Sequence, residues 1–164
     1  MELGEQKLIE MLEKVEVKAS FQEESQQLAA TLSFHGSDYP MFIRELSDAN
    51  LLQMIIFIPC TVQEESADDL ARLLHMINKE LDMPGFCWDE DSRTVFYRLI
   101  IPALQKNCDE TLFQVYIETT KRVCSMFGTI IQAIAIGAMS LQEMMQKAQE
   151  LSDEKKSETK HIKA

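Results

Sequence analysis

The stretch Leu51-Leu-Gln-Met-Ile-Ile-Phe-Ile-Pro59 decides how this chain folds. It is short, rich in β-branched and aromatic residues, and bounded by turn formers at Ser47-Asp48-Ala49-Asn50 and by Pro59, which predicts a strand. Alternation puts Leu52, Met54, Ile56 and Ile58 on one face and Leu51, Gln53, Ile55, Phe57 and Pro59 on the other. Only Gln53 is polar. Each face therefore calls for a cover.

Upstream, residues 26–34 alternate, with Leu28, Ala30, Leu32 and Phe34 on one side, and predict a half-buried strand. His35-Gly36-Ser37-Asp38 is turn chemistry, because Gly tolerates positive φ and Ser and Asp bond their own backbone. Residues 39–46 resume as a strand, which makes an antiparallel meander of three. Before it, Leu8, Met11, Leu12 and Val15 recur at helical spacing over residues 5–15.

Downstream the period changes. Ser66 and Asp69 resemble a cap, and Leu70, Leu73, Leu74, Ile77 and Leu81 stripe a helix that stops at Met83-Pro84-Gly85. Residues 85–88 and 93–101 read as a hairpin around the acidic turn Asp89-Glu90-Asp91-Ser92. Asn107 and Glu110 cap the longest periodic segment, which runs to Gly137; such a helix is roughly 40 Å long. Ser140 and Glu143 cap a last helix, 140–151, striped by Leu141, Met144, Met145, Ala148 and Leu151. The predicted fold is α+β: an antiparallel five-stranded sheet with flanking helices, in the order α-β-β-β-α-β-β-α plus the extra C-terminal helix. Residues 1–151 form one domain, of which 137–151 is the additional amphipathic helix, and the charged residues 152–164 form a disordered tail.

The net charge of −11 in 164 residues argues against nucleic acid and anionic membrane surfaces as partners. No apolar run approaches the roughly 20 residues that span a bilayer, and the first thirty residues lack a secretory signal's apolar core. Cys60, Cys87, Cys108 and Cys124 are widely spaced, which fits reduced thiols in a cytoplasmic protein.

The motifs of chemistry are missing. An EF-hand loop begun at Asp89 would want Gly and Glu where Thr94 and Ile100 stand, and His75 has Ala71 and Lys79 one helical turn away. There is no nucleophile elbow, Walker loop or His-Glu-x-x-His. The expectation is no catalytic residue, no metal and no cofactor. An enzyme with a site assembled from Cys60, Cys108 or His75 is the alternative of a different class.

The order of elements between Gln26 and Ile136 resembles the YbjN family and the type III secretion chaperone fold related to it. The resemblance lies in the strand 51–59, the capped helix 66–81 with its Asn78-Lys-Glu-Leu81 exit, the hairpin from Gly85-Phe-Cys-Trp-Asp89 to Val95-Phe-Tyr-Arg98, and the long helix from Asp109. It implies a small, acidic, cytoplasmic, non-catalytic protein that forms a homodimer, with an interface around the middle helix and nearby strands. The secretion chaperones hold an extended segment of a client protein; YbjN-like proteins have regulatory and stress-related roles.

The leading expectation is thus a chaperone-like protein-binding module, with a YbjN-like regulatory adaptor without a secreted client as the alternative. Candidate dimer or client contacts are Leu51, Gln53, Ile55 and Phe57 on the strand, Leu70, Leu73, Leu74 and Ile77 on the middle helix, and Leu141, Met144 and Met145 on the last. The first and long helices are expected to cover one face of the strand. The middle and last helices are expected to cover the other in part, which leaves room there for a second subunit or a client.

Overall fold

The computed structural model describes residues 4–46, 50–82, 85–103 and 107–162, with side chains placed through residue 153. Helix α1 spans Glu5–Glu13. Strands β1 (Ala19–Gln22), β2 (Gln27–Phe34), β3 (Ser37–Leu46) and β4 (Leu51–Ile58) follow, then α2 (Ala67–Glu80), β5 (Phe86–Asp89), β6 (Thr94–Pro102), α3 (Glu110–Ala135) and α4 (Leu141–Ile162). The fold is α+β, as the periodicities predict. The sheet has six antiparallel strands rather than five, in the order β1-β2-β3-β4-β6-β5.

The added strand is β1, which pairs with β2 from Ala19↔Ala30 to Gln22↔Gln27. It escapes a reading of periodicity because four residues with one large apolar side chain, Phe21, carry no pattern of their own. Its partner strand makes it a strand. The β2–β3 turn is tighter than the sequence predicts: Phe34 pairs with Ser37, and both connecting residues, His35 (φ 50) and Gly36 (φ 78), are left-handed. That is the type I′ geometry whose twist suits a two-residue hairpin.

In β4 burial alternates strictly, with Leu52, Met54, Ile56 and Ile58 inside. Its neighbours align Met41 and Tyr97 with Ile56, and Ile43 and Leu99 with Met54, so these side chains form one continuous inner face. All four helices lie on that side. Helices α1 and α3 pack against the sheet and each other, α2 against α3 and β5, and α4 against α2. A single core joins sheet and helices. The expectation of helices on both faces is therefore corrected: the stripes of α2 and α3 face each other, and one layer absorbs them.

Several local contacts hold that layer. Asp109 caps α3 by accepting from the Leu112 N–H (2.7 Å), in place of the predicted Asn107. Where α3 crosses the sheet, a Cβ on Gly128 would stand 2.4 Å from the Tyr39 hydroxyl, and Gln132 Nε2 donates to that hydroxyl (3.2 Å). Asn78 on α2 binds both backbone groups of Phe86 (2.8 Å each), standing in for a neighbouring strand at the start of β5. Glu110 accepts from Lys7 and Lys14, which ties α3 to α1.

Ser66 does not cap α2 with its side chain; a 3-10 turn, Glu64–Ser66, precedes the helix. Asp69 instead accepts from the Leu141 N–H (2.8 Å) and so fastens the start of α4 to α2. Ser140 and Glu143 form the predicted capping box. Helix α4 then runs to Ile162, past the residue 151 at which the sequence predicts a disordered tail. Glu, Lys and Ser without Gly or Pro tolerate a solvated helix as readily as a coil.

Helices α1 and α3 end alike. Val17 N–H bonds to Leu12 O and Glu16 N–H to Glu13 O; Ala138 N–H bonds to Ala133 O and Gly137 N–H to Ile134 O. These are Schellman motifs, with a left-handed residue at Glu16 (φ 60) and Gly137 (φ 71). Only glycine adopts that conformation without strain. Glu16→Gly is expected to stabilise the protein and Gly137→Ala to destabilise it, each by about 1 kcal/mol, measured by urea unfolding.

Acid acts on the α1–α3 tie. Hydrogen bonds from Lys14, and then its charge and that of Lys7, hold the Glu110 carboxyl below its ordinary value. A depressed folded-state value means that its contribution is present above the unfolded carboxylate range and is lost as pH falls through the folded one. Glu110→Gln is expected to remove part of the wild-type loss of stability below about pH 4.5, read as a flatter acid limb of the urea midpoint.

Candidate functional site

The outer face of the sheet is the candidate site. It is built by the residues of each strand that alternate with the core set. Strand pairing arranges them in rows: Phe57–Phe96–Cys87, then Ala29–Phe42–Ile55–Arg98, then Arg44–Gln53–Ile100, then Leu46–Leu51–Pro102. Phe42, Leu51, Ile55, Phe57, Phe96 and Ile100 are half-buried by one another and are not packed on the core. The rings of Phe42 and Phe57, and of Phe57 and Phe96, sit 6.0 Å apart between centroids. A shallow depression of ≈ 260 Å3 lies among Gln27, Phe42, Arg44, Gln53, Ile55 and Phe57.

Two cations border this aromatic floor. Arg44 Nε donates to Gln53 Oε1 (2.9 Å), and the Arg98 guanidinium lies 5.9 Å from the Phe96 ring centroid, within cation–π range. Among the described residues no carboxylate is in ion-pair range of either arginine. The acids of the face, Asp38 and Asp89, are bonded to Ser33 and Ser92 at the other end of the strands.

Of the contacts predicted from sequence, Leu51, Gln53, Ile55 and Phe57 lie together on this open face. Leu70, Leu73, Leu74, Ile77 and Leu141 do not join them: all five are buried in the chain's own core. An apolar stripe at helical spacing looks the same whether its cover is a subunit or a neighbouring helix, and here α3 and α4 are the covers. Met144 is half-buried against the core, while Met145 is 47% exposed on α4, away from the sheet face. The alternation of residues 93–101 already places Phe96, Arg98 and Ile100 on one side of a two-faced strand, though they are not among the contacts predicted by residue. Phe42 and Arg44 are added by the structure.

The residues considered for catalysis stand apart in role. Cys108 is buried with its Sγ on Asp109 O, Cys60 is half-buried after β4, and His75 is exposed on α2. Burial pushes Cys60 up to about 11 and Cys124 up to about 12, so neither supplies much thiolate near neutrality. His35 meets Ser125 through Nε2 (3.1 Å), and among the described residues no carboxylate is bonded to the ring to orient it. Among the described residues no three His, Cys, Asp or Glu side chains are grouped to hold a metal, and no helix is long and apolar enough to cross a membrane.

The model of the YbjN family, described as "Putative bacterial sensory transduction regulator", matches residues 6–133. The chain belongs to the YbjN family. The match takes in the whole sheet with α1, α2 and all but the end of α3; α4 lies beyond it. Among curated proteins none matches the chain significantly.

Adjacent residues of β4 should report the two faces. Ile56 is fully buried and Phe57 is not. Ile56→Ala is expected to cost about 2–5 kcal/mol, and Phe57→Ala less than about 1.5 kcal/mol despite the larger deletion, measured by urea denaturation.

Proposed function

We propose that this YbjN-family protein is a non-catalytic regulatory adaptor that binds another protein through the open face of its sheet. The observation that carries this reading is the contiguous, half-buried aromatic and aliphatic face on the side opposite all four helices, which none of them covers. Contiguous apolar surface left without a cover is a feature of interaction sites. The family's description as a sensory transduction regulator fits an adaptor that acts by contact. The raised cysteines weigh against nucleophilic chemistry. Four free thiols go with a cytoplasmic setting.

The chaperone reading takes a specific form on this fold. The two edge strands, β1 and β5, have four residues each, so they offer little backbone for an extended client to extend the sheet. A client segment would have to lie across the open face. The same holds for a homodimer: the apolar stripe of α2 is consumed by the core, and the half-buried apolar side chains of the sheet face would have to carry a two-fold contact.

Phe57→Asp places a charge at the centre of the face, and Met126→Asp places one on the exposed outer side of α3. Chemical cross-linking of tagged full-length chain in its host is expected to give a partner with wild type and Met126→Asp and to lose it with Phe57→Asp. Equal recovery from both variants would sink the reading.

A further inference from the structure

The two arginines of the open face define a partner more narrowly. Arg44 and Arg98 stand on β3 and β6, on either side of β4, and one register row apart. Two strand spacings and one row separate their backbones by about 12 Å. Between them runs the apolar strip of β4, with Ile55 and Phe57 bordered by Phe42 and Phe96. An α-helix with its side chains is roughly 10–12 Å across. Measured across the strands alone the two backbones are about 9.5 Å apart, close to the width of a helix.

Resting on the reading of this face as a protein-binding surface, we propose that its occupant is an amphipathic helix laid along β4, with a carboxylate on each flank to meet Arg44 and Arg98. Charge complementarity carries the choice. The chain has a net charge of −11, so an acidic partner is repelled almost everywhere else. On this face it meets two guanidiniums that no carboxylate of the described residues engages.

The offset of the arginines sets the spacing. One register row is about 7 Å along the strand, which a helix covers in about five residues at 1.5 Å each. Residues five or six apart also lie on opposite flanks of a helix, so two acids at that spacing straddle an apolar stripe between them. A second copy binding face to face would instead bring the arginines of both copies into the same contact.

The test uses two designed peptides of about 18 residues, long enough to form helix in water. Both carry the same Leu/Phe stripe; one has glutamate at every flanking position and its twin has lysine. With the full-length protein, the glutamate peptide is expected to bind, to weaken at least tenfold with Arg44→Glu/Arg98→Glu or with Phe57→Asp, and to weaken as salt rises. Any binding of the lysine peptide, drawn by the acidic body, is expected to be unmoved by Phe57→Asp. Glutamate-peptide binding that is absent, or indifferent to these substitutions, overturns the proposal. So does light scattering that shows a dimer dissolved by Phe57→Asp, since the face is then taken by a second copy. Loss of the cross-linked partner with Phe57→Asp would still support a protein contact at the face in any of those cases.

Discussion

Strand β4 carries apolar side chains on both faces, and its pairing with β3 and β6 determines which set meets the helices. A slip of one residue would exchange the two sets. The hairpin through His35 and Gly36 fixes β2 against β3, and the β3–β4 and β4–β6 ladders extend that register across the sheet. Once Ile56 and Met54 are inside, the geometry has no further choice: Phe57 and Ile55 must be outside. The open face is a direct result of packing the closed one.

That face differs in chemistry from the rest of the surface. Elsewhere the protein is strongly acidic, which favours solubility and discourages indiscriminate association. On the sheet, aromatic rings are set between two guanidiniums, and the carboxylates of that side are tied to serines at the strand ends. Flat apolar surface promotes contact without choosing among partners. For the proposed partner the arginines would supply the choice, because burying either one without an acidic counterpart would be costly.

Much of this architecture was legible in the amino-acid sequence, and the exceptions have physical causes. Period-two alternation revealed β2, β3, β4 and β6, and the Ser140–Glu143 box revealed the start of α4. Strand β1 was invisible because its state comes from its neighbour rather than its own pattern. The stripes on α2 and α4 were legible as apolar, but a sequence does not state what lies opposite, and Leu70 to Ile77 meet α3 rather than a subunit. Half of the candidate site, the residues of β4, could be read from alternation alone. The alternation of residues 93–101 likewise sets Phe96 and Arg98 on one side, but that they flank β4, with Phe42 and Arg44 on its other side, depends on which strands are neighbours, a long-range pairing that local periodicity does not encode.

The four-residue lengths of β1 and β5 have a consequence for stoichiometry. Assemblies that grow by joining strand to strand are open-ended, since every added chain presents a fresh edge. Here each edge strand has only four residues and offers a short template, whereas a face, once covered, offers nothing to the next arrival. Association through this face, as proposed above, would therefore saturate after a single binding event and give a finite, countable complex rather than a growing one.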